Sequence, residues 1–463
     1  MQLSSAISDS PEPGRFRSIL KLAALGALVL LLLVPVNQLV SLVRERQARQ
    51  LLVREELAQL WGGQQTLGAL VLAVPYRAPA GGGGASAKTY LPASALAPPA
   101  GWAYFLPGAV KWRGDVTPQQ RHRGLFQVTL YEARLAASGW FARPDAAALG
   151  LDPSQLDWAH AHALLTVSDP RGLQQRVVLR WAGRERPFAP GLTSVDAFGS
   201  NLRAALAPGD LDGDRIPFAL DLELRGSGAL FFLPLGDDTT AELTSPWPHP
   251  GFMGAPLPRE RQVVGKGFTA SWSVPYFGRG FPQRWRGDQL GAERLSAQLA
   301  TSAFGVNLVS PADAYQQTER AVKYAVLFIL LTFTTVFVLE LLSPVRLHPI
   351  HYLLVGAALC LFYLLLLALA EHVGIAAAYA TATAATVALV TLYTRAVLAG
   401  WRRALAVGGV LTVLYGWLFT LLRREDYALL LGALGLFATL AAVMFLTRRL
   451  DWATLRFREP AIG

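Results

Sequence analysis

From Leu22 to Val43 the chain runs 22 residues without a charge, through the block Leu28-Val29-Leu30-Leu31-Leu32-Leu33-Val34. At a rise of about 1.5 Å per residue, such a helix is long enough to cross about 30 Å of hydrocarbon. Arg15, Arg17 and Lys21 precede it, as the basic region of a signal peptide would. Only Ser41-Leu42-Val43-Arg44-Glu45-Arg46 follows, with no small-x-small cleavage site. The run therefore reads as an uncleaved anchor rather than a removed signal peptide.

The same text returns from Tyr324. Spans are expected at Tyr324–Leu342, Tyr352–Ala370, Val373–Thr394, Ala404–Leu422 and Tyr427–Thr447, joined by short connections that force neighbours antiparallel. With the N-terminus inside, the cytoplasmic side holds eleven basic residues: Arg15, Arg17, Lys21, Arg346, Arg395, Arg402, Arg403, Arg448, Arg449, Arg456 and Arg458. The outer short loops hold only Arg423 and Arg424, beside Glu425 and Asp426. The reverse topology inverts that ratio and fails the positive-inside rule. Both termini are thus expected in the cytoplasm.

Between the two membrane blocks the chain changes character. Arg44 to Trp61 is charged and helical in period, and Gly62-Gly63 ends it. Beyond that, Gly81-Gly82-Gly83-Gly84 reads as an exposed loop. In Leu220–Leu224, Phe268–Trp272 and Phe126–Leu130, apolar residues alternate with polar ones. Period two with one polar face means half-buried strands, mostly antiparallel. Asp237-Asp238 reads as a turn between two of them. The fold class is an α+β membrane protein: six transmembrane helices, one N-terminal and five C-terminal, with a large, mostly antiparallel β domain outside the cytoplasm. The expected divisions are a cytoplasmic tail (1–21), the anchor (22–43), a β-rich domain (44–323), a five-helix bundle (324–447) and a second cytoplasmic tail (448–463).

Composition agrees. Mean hydropathy is +0.34, with 52% hydrophobic and 16% charged residues, below the quarter charged that is usual for soluble domains. The net charge of +10 does not indicate nucleic acid. Residues 44–323 hold 29 basic and 24 acidic groups, and the remaining excess lies in the tails and loops that orient the spans. The single cysteine, Cys360, excludes an intramolecular disulfide and leaves little room for zinc or redox sites.

Spaced blocks of distinctive text run along the chain: Trp61-Gly62-Gly63-Gln64-Gln65-Thr66-Leu67 leading to Val74-Pro75-Tyr76, Arg121–Phe126 through Gly139-Trp140-Phe141, and Ser245-Pro246-Trp247-Pro248-His249-Pro250-Gly251-Phe252. Pro311–Gln316, Arg320–Tyr324, Arg346–Gly356 and Leu369-Ala370-Glu371-His372 complete the set. In this order the blocks resemble the CreD family of cell-envelope-integrity inner-membrane proteins, the Ser245–Phe252 block being the most distinctive. Ala69 stands where that family's first block leads one to expect proline, and Gly251 where serine is common. The resemblance implies a role in maintaining the envelope, expression tied to a two-component stress response, and links to β-lactam and colicin sensitivity. It implies no reaction, no cofactor and no catalytic residues.

Asp210, Asp212 and Asp214 alternate as carboxylates in a calcium loop do, but Arg215 stands where the pattern wants glycine, and Asp221 where it wants glutamate. An acidic turn is the simpler reading, so no metal is assigned. His160 and His162 would share a strand face, with no third ligand nearby. Trp247 and His249, among Pro246, Pro248 and Pro250, form either a binding edge or a rigid turn with the tryptophan packed. Glu340, Glu371 and His372 are ionisable residues at span ends, where snorkelling to the interface is favoured over a proton relay. His348 and His351 join Arg346 on the expected cytoplasmic side, suited to an anionic headgroup or to topology alone. The segment Ala376–Ala388, with Thr381, Thr383 and Thr386, suits close helix packing.

No nucleophile elbow, Walker loop, dinucleotide fingerprint or His-Glu-x-x-His occurs. The leading reading is a non-enzymatic envelope protein in the bacterial inner membrane. Its periplasmic domain would bind an envelope component or partner protein, and its bundle would anchor that domain. Its partners would be the lipid bilayer and a periplasmic ligand, with no nucleic acid. The alternative is a lipid or small-molecule transporter using the C-terminal bundle, which would need mid-depth charges or an inverted repeat that are not evident. A third class, an envelope-modifying enzyme, would place its first carboxylates at Asp210, Asp212 and Asp214.

Overall fold

A computed structural model describes residues 13–77, 99–123, 126–190, 201–308, 314–341, 347–398, 400–423 and 427–448. The Gly81–Gly84 loop lies outside the described residues, as do Arg346, Arg424, Arg449, Arg456 and Arg458 of the charge count. The chain falls into two compact units that divide it at Leu51/Leu52 and at Pro311/Ala312. Helix α1 (Pro13–Trp61) begins in the first unit and contributes its last turns to the second.

The second unit is two stacked β-sheets. One, of nine strands, runs Gly251–Gly254, Phe304–Asn307, Ala229–Phe232, Gln65–Tyr76, His162–Val167, Asn201–Ala205 and Ala189–Pro190. Gly101–Phe105 branches from Gln65–Tyr76 and carries Arg284–Arg286. The other, of eight strands, runs Glu260–Val264, Gly267–Pro275, Asp238–Ser245, Ala109–Arg123, Phe126–Ala142, Arg215–Ser227, Val178–Trp181 and Arg184–Pro187. Pairing is antiparallel except at Gln65–Leu67 with Leu230–Phe232 and at Asp238–Thr244 with Ala109–Asp115. The three alternating segments of the sequence are all strands. Along Asp238–Ser245 and Arg215–Ser227, burial alternates almost residue by residue, as one packed face and one wet face require. Asp237 does sit in a turn between two strands, but those strands belong to different sheets, so the turn is a crossover and not a hairpin.

Large aromatics fill the space between the sheets. Trp112 packs on Phe232 at 5.1 Å between ring centroids, and Trp272 on Phe304 at 5.8 Å. Gln65–Tyr76 is buried along almost its whole length, without alternation. Its Leu70, Leu72 and Val74 join the inter-sheet core. Its Val71 and Ala73 join a second cluster with Leu295 and Leu299 of helix α2 (Ala292–Ser302). Covering on both faces explains the unbroken apolar run Leu70–Val74.

The first unit is helical. Its C-terminal part comprises α3 (Ala314–Lys323), α4 (Ala325–Leu341), α5 (Pro349–Val373), α6 (Ile375–Val397), α7 (Trp401–Arg423) and α8 (Ala428–Thr447). Among the described residues, four helices, α1, α5, α6 and α7, are long and apolar enough to cross a membrane. There are five if α3 and α4, bent by 44° at their junction, count as one span. Backbones approach closely at small residues: a Cβ on Gly356 would meet the Leu32 side chain of α1, and one on Gly408 would meet Thr391 of α6. Leu354, Leu361, Leu389, Leu392 and Val413 point outward and exposed, a surface that only lipid or another protein would cover. Cys360 is buried and free.

Candidate functional site

A polar cluster of the helical unit lies around Glu340, in the last turn of α4. Glu340 Oε1 accepts from the Leu347 amide at 2.9 Å, and Oε2 accepts from the Tyr352 hydroxyl at 2.7 Å. Lys21 Nζ of α1 donates to Glu340 Oε1, donates to the Leu347 carbonyl at 2.9 Å, and lies 5.8 Å from the Tyr352 ring centroid. The Glu340 side chain is only 1% exposed. The expectation that this carboxylate snorkels to the interface is therefore corrected: it turns inward because α1 delivers a cation at its level. Both oxygens are engaged, so the cluster ties three helices together around a buried, hydrogen-bonded carboxylate. Removing one partner of such a buried pair typically costs about 3–5 kcal/mol, whereas replacing both by apolar groups is often near neutral.

Glu371, in the last turn of α5, accepts from the Tyr315 hydroxyl of α3 at 3.0 Å and lies 3.9 Å from Arg46 of α1. Glu319 sits between Arg44 at 3.5 Å and Lys323 at 3.7 Å. His372 is exposed, its Nδ1 3.0 Å from the Ala368 carbonyl. His348 caps α5 by accepting from the Ile350 amide at 3.4 Å, and His351 Nδ1 lies 2.7 Å from the Tyr393 hydroxyl. Glu340 contacts the first turns of α5 and Glu371 its last, about 28 Å apart along that helix. They form two separate clusters, not one relay.

In the β unit, Asp210, Asp212 and Asp214 do not converge. Asp210 is buried at the end of a short turn, where it accepts from the Ala207 amide at 2.9 Å and pairs with Arg186 at 2.6 Å and Arg184 at 2.9 Å. Its carbonyl receives the Trp181 indole at 2.8 Å. Burial pushes its carboxyl pKa upward, but the Ala207 amide and the two arginines outweigh that and hold it below the usual carboxylate value. Asp212 and Asp214 are exposed. Among the described residues no group of three or more His, Cys, Asp or Glu side chains is placed to hold a metal.

His160 and His162 do not share a strand face, contrary to expectation. His160 ends a helical turn, exposed and 3.1 Å from Asp157, while His162 opens a strand and meets Trp102 edge-on at 6.1 Å. Burial holds the His162 ring below its ordinary pKa. Trp247 is buried in the sandwich core, and its indole donates to the His249 carbonyl at 3.0 Å, closing the proline-rich turn. The ring of His249 stands exposed. That turn delivers the chain to Gly251–Gly254, an outermost strand.

A further site is written in no local pattern of the sequence. The end of α1 is locked to the sandwich by Trp61–Gln65. Arg225 stacks 4.2 Å from the Trp61 ring. The Gly63 amide donates to Asp169 at 3.1 Å. The fully buried Gln65 amide donates to the carbonyls of Asp169 and Arg225. Gly62 adopts φ +121°, and a Cβ there would lie 2.8 Å from the Arg225 carbonyl, so this turn requires glycine. Arg279, also unforeseen, has a buried side chain that donates to the Leu235 carbonyl at 2.7 Å. Burial pushes its pKa down to about 10.

A sequence model of the family described as CreD, "Inner membrane protein CreD", matches residues 17–453. The curated "Inner membrane protein CreD" of Escherichia coli strain K12 is 33% identical over 438 residues, covering 93% of each chain. Among solved structures, an M1 zinc metallopeptidase from Deinococcus radiodurans aligns over 37% of this chain and 40% of its own, at 12% identity and a TM-score of 0.20. A mutant of that enzyme aligns over the same shares at 11% identity and a TM-score of 0.18. The chain thus spans less than half of those structures, and overlaps this weak carry no argument. A family match over nearly the whole length, together with several helices apolar enough to cross a bilayer, makes this a multi-pass inner-membrane protein. The chain belongs to the CreD family.

Proposed function

We propose that the protein maintains the integrity of the cell envelope by binding an envelope component or partner protein through its β sandwich. In this reading the chain crosses the inner membrane six times and keeps both termini in the cytoplasm. The sandwich is periplasmic, expression follows a two-component stress response, and the protein works by binding, not by catalysis.

One observation supports a binding role above the others: the two sides of the eight-stranded sheet are finished differently. At one side, Arg184–Pro187 carries Arg184 and Arg186, both paired to Asp210, and ends in proline, features that discourage further strand pairing. At the other, all five residues of Glu260–Val264 are exposed, with Val264 at 63%. Beside it in sequence lie the edge strand Gly251–Gly254, with exposed Met253, and exposed Leu257. An open edge with apolar side chains is suited to pairing with an extended segment, whose main chain supplies affinity and whose side chains supply choice.

The test is complementation of a deletion strain challenged with detergent and β-lactam. Val263→Lys combined with Val264→Lys charges the edge without touching the core. With membrane levels equal, this variant is expected to lose most of the protection that the parent chain restores. Full protection would rule out the edge as the working surface.

A further inference from the structure

Helix α1 carries two apolar seams on opposite faces. Leu25, Leu32, Val36 and Leu39 are buried in the chain's own bundle, and Val43 on the same face is buried as well. Leu30, Val34, Asn37 and Ser41, at intervals of four, three and four, are exposed, Leu30 at 67% and Val34 at 55%. That spacing is the 3.5-residue period of a left-handed helix pair. The inner seam has its partners; the outer one has none among the described residues.

The outer seam is also polar where polarity is least tolerated. Asn37 lies about 7 Å beyond the middle of the charge-free run Leu22–Val43, inside the roughly 15 Å half-thickness of the hydrocarbon. Gln38 is exposed beside it. The Ser41 hydroxyl is satisfied by the Asn37 carbonyl at 3.2 Å. Among the described residues nothing hydrogen-bonds the carboxamides of Asn37 and Gln38, and lipid tails offer no partner.

We infer that this face is an interface with a second copy of the same chain, formed by parallel pairing of two α1 helices through Leu30, Val34, Asn37 and Ser41. Two features select a second copy over a different helix. All copies insert with the same orientation, so a twofold axis along the bilayer normal brings each residue opposite itself at the same depth. A carboxamide is both donor and acceptor, so Asn37 opposite Asn37 is self-complementary, and a lone buried asparagine in such a seam fixes register and pairing in two-stranded coils.

The test uses the full chain in native membranes. Cys360→Ala removes the single native thiol, and Ser41→Cys places one in the seam. Oxidation with copper phenanthroline should convert most of the chain to a disulfide-linked band of twice its mass. Leu389→Cys, exposed on α6, should not give that band. Adding Asn37→Leu should lower the yield about tenfold, and Asn37→Gln should largely preserve it, separating pairing from insertion. A Ser41→Cys yield no higher than that of Leu389→Cys would overturn the inference, as would adducts only with chains of other mass. A yield unchanged by Asn37→Leu would overturn the role of the carboxamide.

Discussion

At the scale of single residues, what a side chain does depended on which groups the fold placed against it. Asp210 and Asp214 looked equivalent in the sequence, yet one is buried between two arginines and the other is exposed. No local pattern states that Arg184 and Arg186, 24 and more residues earlier, will arrive there. The consequence is a specific acid sensitivity. Because folding lowers the Asp210 pKa, its stabilisation is complete above the ordinary value of 3.8 and is lost as pH falls through the lower folded value. Asp210→Asn should destabilise the purified protein at neutral pH by about 2 kcal/mol, through lost charged hydrogen bonds. The difference from the parent should shrink as pH falls from 3.8 toward the lower folded value. Thermal unfolding followed from pH 7 down to pH 2 measures both. A difference that does not change as pH falls below 3.8 would show that the loss does not depend on the ionised carboxylate.

At the scale of elements, periodicity was legible and pairing was not. The helix stop at Trp61-Gly62 and the strands around Leu222, Ala270 and Val128 follow from local pattern, because turn chemistry and half-burial are local. Gln65–Tyr76 gave no alternation, because a sheet and a helix bury both its faces. The two histidines failed as a pair because a helical turn ends between them. Lys21 and Glu340 each stand at a span end on the same expected side, so their pairing is within reach of the sequence only when both span ends are considered together. Their joint role is a property of α1, α4 and α5 together. Glu340→Leu alone should cost about 3–5 kcal/mol by stranding Lys21, while Glu340→Leu with Lys21→Leu should recover much of that loss. Unfolding of the single and double variants in detergent checks this. Additive losses would mean that the pair is not coupled.

At the scale of the whole molecule, hydropathy and a handful of spaced blocks were enough for the family and the α+β class, because membrane crossing is written in composition. Strand order was not legible, since sheet neighbours such as Gln65–Leu67 and Leu230–Phe232 are far apart in sequence and nothing local encodes their meeting. The functional reading assigns the work to the sandwich and anchorage to the C-terminal helices. The most direct measurement is complementation of a deletion strain, under detergent and β-lactam challenge, by the full chain and by a chain ending at Lys323. Expression and export of both must be confirmed. The account predicts that the shorter chain, keeping α1 and the sandwich, restores most of the resistance. Resistance restored by the full chain alone would contradict it and assign transport or transmembrane signalling to the helices after Lys323.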